Sequence, residues 1–183
     1  MTLGTAAAQK ILAEAELVCS AEKSALAVRR LAAEITARLA ARNPLVLTVM
    51  NGALVFAGHL LPQLDFLLEL DYLHVSRYRD ATQGGQLTWL AEPRSAVAGR
   101  TVLVLDDILD AGITLAEIRR HLLQQGALEV LTAVFADKAI GRAKPVVADF
   151  VGITVPNRYV FGYGMDIHGA WRNLPAVYAL GEA

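Results

Sequence analysis

The chain has 183 residues, 55% hydrophobic and 19% charged, with a formal net charge of −1. That composition excludes a disordered chain and fits one domain, residues 1–183, large enough to bury a core of its own. A near-neutral charge supplies no field for nucleic acid or an anionic membrane, and a single cysteine, Cys19, excludes an internal disulfide and a Cys-based zinc cluster.

Residues 5–18 are alanine-rich and read as a helix. Lys10, Glu14 and Glu16 interrupt it, which makes it a poor signal peptide, and no segment reaches the roughly 18 uncharged apolar residues of a membrane span. A cytoplasmic protein is expected. A second helix spans 20–42: Ser20 can cap it, Glu22 lies in its first turn, and Val28, Leu31, Ile35 and Leu39 share one face. Asn43-Pro44 stops it. Leu45 to Met50 is a continuous apolar run, the mark of a buried parallel strand. Asn51-Gly52 forms a turn, Ala53 to Leu61 a helix ended by Pro62, and Phe66 to Val75 a strand. The polar stretch Ser76 to Gln86, with Gly84-Gly85, reads as a mobile loop, and Leu87 to Leu90 returns as the partner strand of a hairpin. A strand at 101–105 leads into a turn and then a helix from Thr114 to Gln125, with Leu115, Ile118 and Leu122 inward and Gly126 as its stop. Strands at 129–136 and 147–153 follow, and the tail from Pro156 reads as irregular.

Strands alternating with helices predict an α/β fold with a mainly parallel central sheet flanked by helices, its core at about residues 44–155. Such sheets bind ligands beyond the carboxyl ends of their strands. Asn51-Gly52, the turn 106–114, Asp137-Lys138 and Asp166 all sit just past predicted strand ends, so one rim can gather them.

The stretch 101–115, TVLVLDDILDAGITL, carries the most chemistry. An apolar strand ends in Asp106-Asp107, and a turn with Asp110, Gly112 and Thr114 opens a helix. One reading is a polar loop with a helix cap at Asp110 or Thr114. The other is a ligand site. Three aspartates within five residues repel one another, and hydroxyls, N–H groups or a cation would offset that repulsion. Carboxylates suit sugar hydroxyls, metal or proton transfer, and a helix N-terminus suits phosphate, so the second reading predicts a phosphorylated sugar.

The stretch resembles the PRPP-binding motif of the type I phosphoribosyltransferases: an apolar strand, two acidic residues, two apolar residues, Asp, a small hydroxyl residue, Gly, any residue, Thr. Over roughly residues 20–180 the chain is most similar to the hypoxanthine-guanine phosphoribosyltransferases. Asp137-Lys138 resembles their Asp-Lys pair, residues 159–166 (YVFGYGMD) their aromatic-Val-Val-Gly-Tyr-x-x-Asp run, and Arg172-Asn173-Leu174-Pro175 their Arg-x-Leu-Pro segment.

The resemblance implies a type I phosphoribosyltransferase fold with a small hood made from the N-terminal helices and the segment 156–183. It implies that Asp106 and Asp107 bind the ribose hydroxyls, directly or through Mg2+. Backbone N–H groups of Asp110, Ala111, Gly112, Ile113 and Thr114, with the Thr114 hydroxyl, hold the 5-phosphate. Asp110 accepts the purine N7 proton, Lys138 donates to the 6-oxo group, Tyr159 stacks on the base and Val160 pairs with it through its backbone. Asp166 holds Mg2+, Arg172 meets pyrophosphate, and Met50-Asn51-Gly52 forms the pyrophosphate loop. A lysine offers only donors, which favours an oxo group over an amino group at purine C6. Plain structural readings stand beside these: a strand-end Lys138, a core Tyr159, an Asp166 that caps the turn after it, a surface Arg172.

Four departures from the family pattern bear on activity. Ala111 replaces a hydroxyl residue of the phosphate loop, Ile113 stands where polar residues are common, and Asn51 replaces a basic residue of the pyrophosphate loop. Ser76-Arg77-Tyr78 replaces an adjoining Ser-Tyr pair, and Arg77 or Arg79 is a candidate to restore charge on loop closure. No Walker A, G-x-S-x-G or H-E-x-x-H sequence is present, and His59, His74, His121 and His168 lack metal-ligand spacing and read as structural or solvated.

The expected function is Mg2+-dependent transfer of phosphoribosyl from PRPP to hypoxanthine or guanine, giving IMP or GMP and pyrophosphate, by a homodimer or homotetramer. The rival from another class is a non-catalytic sensor of PRPP or a nucleotide on the same fold. Reading Asp106-Asp107 as the phosphoacceptor pocket of a receiver domain conflicts with the Asp-x-Gly-x-Thr continuation.

Overall fold

The computed structural model describes residues 3–77 and 87–181. Its elements are α1 (Thr5–Glu14), β1 (Glu16–Cys19), α2 (Ala21–Leu39), β2 (Leu45–Met50), α3 (Leu54–Leu60), β3 (Glu69–Arg77), β4 (Leu87–Ala91), β5 (Thr101–Leu109), α4 (Ile113–Gln124), β6 (Glu129–Ala139), β7 (Phe150–Pro156), β8 (Val160–Phe161) and β9 (Val177–Ala179). A six-stranded sheet runs β4-β3-β2-β5-β6-β7. All its neighbours pair in parallel except the edge hairpin β3–β4, where Arg77 faces Leu87. No helix among the described residues is long and apolar enough to cross a membrane.

Continuous apolar runs form the central strands because helices cover both faces. Leu45, Val46 and Leu47 of β2 and Val102 to Leu105 of β5 are fully buried. On α2 the predicted stripe Val28, Leu31, Ile35 and Leu39 is fully buried. Ser20 caps that helix, its Oγ accepting the Lys23 N–H at 3.3 Å. Arg30 of α2 clamps it to β7 by donating to the carbonyls of Val151 (2.8 Å) and Gly152 (2.7 Å). In α4, Leu115, Ile118 and Leu122 point inward, and Gly126 ends the segment with φ +90°.

The structure departs from the sequence reading in three ways. The first helix ends at Glu14, and residues 16–19 form β1, which pairs antiparallel with β9. β9 also pairs with β8, so the tail holds ordered strands, and a small three-stranded sheet joins the two ends of the chain. Pairing with a distant strand overrides the helical propensity of the stretch 5–18. β5 and β6 run further than 105 and 136, because their ladder continues through Asp106 opposite Val134, Ile108 opposite Ala136 and Leu109 opposite Asp137. Asp106-Asp107 and Asp137-Lys138 therefore lie within the strands, near their carboxyl ends. β3 and β7 begin three residues later than the predicted starts at 66 and 147. Most of the expected loop, with Arg79, lies outside the described residues, as does the side chain of Arg77.

Candidate active site

Parallel strands bring the carboxyl ends of β2, β5 and β6 to one edge of the sheet. A cleft of about 530 Å³ opens there. It collects Asn51, Gly52, Asp106, Asp107, Asp110, Ala111, Gly112, Ile113, Thr114, Asp166 and Arg172, all predicted from the sequence.

Asp106 is 8% exposed. Burial, and then the charge of Asp107, push its carboxyl well above the usual carboxylate range. Burial also raises Asp107, against the lowering effects of its hydrogen bond with Asp106 and of the Arg172 charge. Backbone groups hold the pair in place: the Asp107 N–H donates to Asp106 Oδ1 (3.0 Å) and the Ile108 N–H to Asp107 Oδ1 (2.8 Å). Gly52 presses against this pair so closely that a Cβ there would overlap the Asp107 carboxylate. Gly164 in turn lies against the Gly52 carbonyl, where a Cβ would also collide. The Met50–Asn51 peptide is cis.

After Leu109 the chain turns through Asp110 and Ala111 to Gly112, whose φ of +79° suits glycine. Gly112, rather than Asp110 or Thr114, is the N-cap of α4, and it has no side chain to offer. With no side-chain cap, the first N–H groups of the helix remain available to an anion in the cleft.

Asp110 is free of capping duty and faces Lys138. The Lys138 Nζ donates to Asp110 Oδ2 at 3.0 Å, and the lysine side chain is only 12% exposed, so it is no solvated strand-end residue. Sequence reasoning missed Lys144. Its Nζ donates to the Leu109 carbonyl at 2.6 Å and forms a short ion pair with Asp137 Oδ1. No spacing rule pointed to it, because it sits in the loop between β6 and β7. His74 and Ser76 of β3 also line the cleft. His59 bonds the Tyr163 hydroxyl at 2.8 Å away from the cleft and His121 packs on Trp89, as the structural reading of these two expects.

The tail completes the far wall. Arg172 donates to the Gly164 carbonyl (2.7 Å) and pairs with Asp166 Oδ1 (2.5 Å). Asp166 Oδ2 accepts the Gly169 N–H at 2.7 Å, so the turn-capping role holds together with a place in the cleft. Tyr159 is half-exposed and its hydroxyl donates to the Asp166 carbonyl at 3.0 Å. Lys138, Tyr159 and Val160 are not among the residues lining the cleft itself. Lys138 adjoins it through Asp110 and Tyr159 through Asp166, whereas Val160 is buried in β8 opposite Ala179.

Comparison with known proteins agrees with this geometry. The model of the phosphoribosyl transferase domain matches residues 18–168. The chain is 38% identical over 157 residues to a hypoxanthine-guanine-xanthine phosphoribosyltransferase of Tritrichomonas foetus, covering 85% of this chain and 86% of that one. It is 34% identical over 169 residues to the hypoxanthine-guanine phosphoribosyltransferase of Bacillus subtilis, covering 92% and 94%. The crystal structure of a hypoxanthine phosphoribosyltransferase from Staphylococcus aureus superposes with a TM-score of 0.87 at 25% identity, covering 94% of this chain and 95% of that one.

Proposed function

We propose a reaction from one premise: the chain belongs to the phosphoribosyltransferase family. It transfers the 5-phosphoribosyl group of PRPP to hypoxanthine or guanine, as its relatives' names state for them, releasing pyrophosphate and IMP or GMP. The observation that carries this reading is one cleft holding the Asp106-Asp107 pair, the open N-terminus of α4 and Asp110, with Lys138 paired to Asp110 beside it. A sensor of PRPP alone has no use for the last of these, which is why catalysis is preferred to sensing.

Asp106 and Asp107 accept hydrogen bonds from the ribose hydroxyls, which relieves two crowded carboxylates. The N–H groups of residues 110–114 and the Thr114 hydroxyl hold the 5-phosphate. As the bond at the anomeric carbon breaks, positive charge grows on the ribose and negative charge on pyrophosphate. Arg172 stabilises the departing pyrophosphate, and the Asn51-Gly52 turn orients it. Purine N7 loses its proton to Asp110, while Lys138 moves its donor to the 6-oxo group. Tyr159 stacks on the base and the Val160 backbone meets its edge.

Mg2+ suits this donor set. Asp106, Asp107 and Asp166 line one cleft and offer only oxygen. Mg2+ prefers one or two carboxylates completed by water and substrate phosphates. When bound it supplies positive charge to the leaving group. The apolar groove of about 340 Å³ that includes Leu54, Leu70 and Tyr72 supports assembly as a homodimer or homotetramer. The buried lone thiol of Cys19 fits the reducing cytoplasm, where this reading places the enzyme.

The test is an assay with PRPP, Mg2+ and each of hypoxanthine, guanine, xanthine and adenine, scoring nucleotide and pyrophosphate. Product with the 6-oxopurines and little with adenine is expected. No product with any base, despite measurable PRPP binding, overturns the proposal.

A further inference from the structure

Asp110 and Lys138 depart from neighbouring strands, yet their side chains must keep a fixed separation to serve one purine. Asp110 follows the last residue of β5, Leu109, and Lys138 follows Asp137 in β6. Leu109 and Asp137 are register partners, so they form the last rung of the β5–β6 pair. The ammonium of Lys144 bridges this rung, donating to the Leu109 carbonyl at 2.6 Å and pairing with the Asp137 carboxylate. The Lys144 side chain is only 11% exposed, so the bridge is shielded from water, which strengthens it.

The same residue backs the phosphate loop. A Cβ added to Gly112 would come within 3.3 Å of Lys144 Cβ and of Pro145 Cδ. The turn thus rests on the segment 144–145 through a glycine that leaves no gap. Ala111 in this turn has no hydroxyl with which to hold phosphate. Its grip therefore depends on how well the backbone N–H groups are aimed, and support from behind carries more of that task.

We propose that Lys144 is a positioning residue for the transfer reaction. It touches neither PRPP nor base. It fixes the point from which Asp110, Lys138 and the phosphate loop depart, and so sets the affinity for both substrates. The proposal rests on the phosphoribosyltransferase reading above.

The experiment uses the full chain and compares wild type, K144M, K144R, D137N and the double variant K144M/D137N. Methionine keeps most of the stem and removes the cation. KM for PRPP, KM for guanine and kcat are measured with Mg2+, PRPP affinity is followed by calorimetry, and melting is recorded for each protein. Wild-type turnover tests the reaction itself, and ratios between variants test Lys144. K144M is expected to raise both KM values about tenfold. D137N is expected to do the same, the double variant to add little to either, and K144R to recover most of the loss. R30M, which removes the clamp on Val151 and Gly152, serves as a control that lowers the melting temperature without moving either KM. KM values within twofold of wild type in K144M overturn the proposal, as does a double variant whose losses multiply. If K144M does not fold, D137N alone decides: unchanged KM values in it overturn the bridge. If wild type binds PRPP without turnover, the calorimetric affinities of the same set give the same decision.

Discussion

Lys138 Nζ lies 3.0 Å from Asp110 Oδ2, so the lysine assigned to the base and the carboxylate assigned to its proton neutralise each other before any base arrives. In the proposed reaction base binding separates them, and each then gains a partner on the purine. Replacing Asp110 by Asn removes the proton acceptor and keeps the shape. A positioned general base contributes about 100- to 10,000-fold, so D110N is expected to lower kcat by at least about 100-fold while PRPP affinity changes by less than about threefold. Equal losses in steady-state kcat and calorimetric affinity would contradict the assignment. K138M is expected to raise KM for hypoxanthine and guanine and to erode the preference over adenine, and a base-competition assay checks this.

Asp106 gives the site a stability signature. Its folded carboxyl titrates above its unfolded one because of burial and the charge of Asp107. The folded state therefore holds a proton that the unfolded state has lost, and stability declines as pH rises through the folded value. D106N removes the buried charge and keeps an oxygen for the Asp107 N–H. At pH 7.5 its melting temperature is expected to rise by about 2–4 °C, the response of a chain of this size to ~1 kcal/mol. Its melting temperature should also lose part of the wild-type decline as pH rises above the ordinary carboxylate range, and its PRPP affinity should collapse. Scanning calorimetry with and without PRPP and Mg2+ reads all three.

The Tyr163 phenol is pushed up to about 12, by burial first and then by Cys19. The unfolded chain ionises this group near its ordinary value of 10, so its stabilising contribution is complete below about pH 9 and is lost as pH climbs through 10 to 12. Absorbance at about 295 nm should show one late-titrating tyrosine, absent in Y163F, which also loses the hydrogen bond to His59. A Y163F curve that superposes on wild type would refute this.

Ala111 leaves the phosphate loop one hydroxyl short. A111S restores it beside the open end of α4. A hydrogen bond to a charged group is worth about 1.5–3 kcal/mol, so PRPP is expected to bind at least about tenfold more tightly. Calorimetric titration checks this, and unchanged affinity would place the hydroxyl away from the phosphate.

The sheet and the cleft wall were legible because apolar runs such as Leu45 to Met50 and the clustered aspartates of 106–110 are local patterns. What lay hidden depends on distant partners. Residues 16–18 read as the end of an alanine-rich helix, and they belong to a strand because residues 177–179 lie beside them. β8 is two residues long, too short to display a period. Strand β5 seemed to end at its charges, yet pairing with β6 carries it through Leu109. Lys144 meets Leu109 across a loop whose path no sequence pattern specifies.

The three-stranded sheet also imposes a schedule on synthesis. β1 is among the first strands made and β9 is the last among those described, and each needs the other. Asp166 and Arg172 are anchored between β8 and β9, so the wall they form cannot set until β9 has been made and has paired. A nascent fragment can build the parallel sheet and still lack a working cleft. Activity therefore arrives in one late step, when β9 closes against β1.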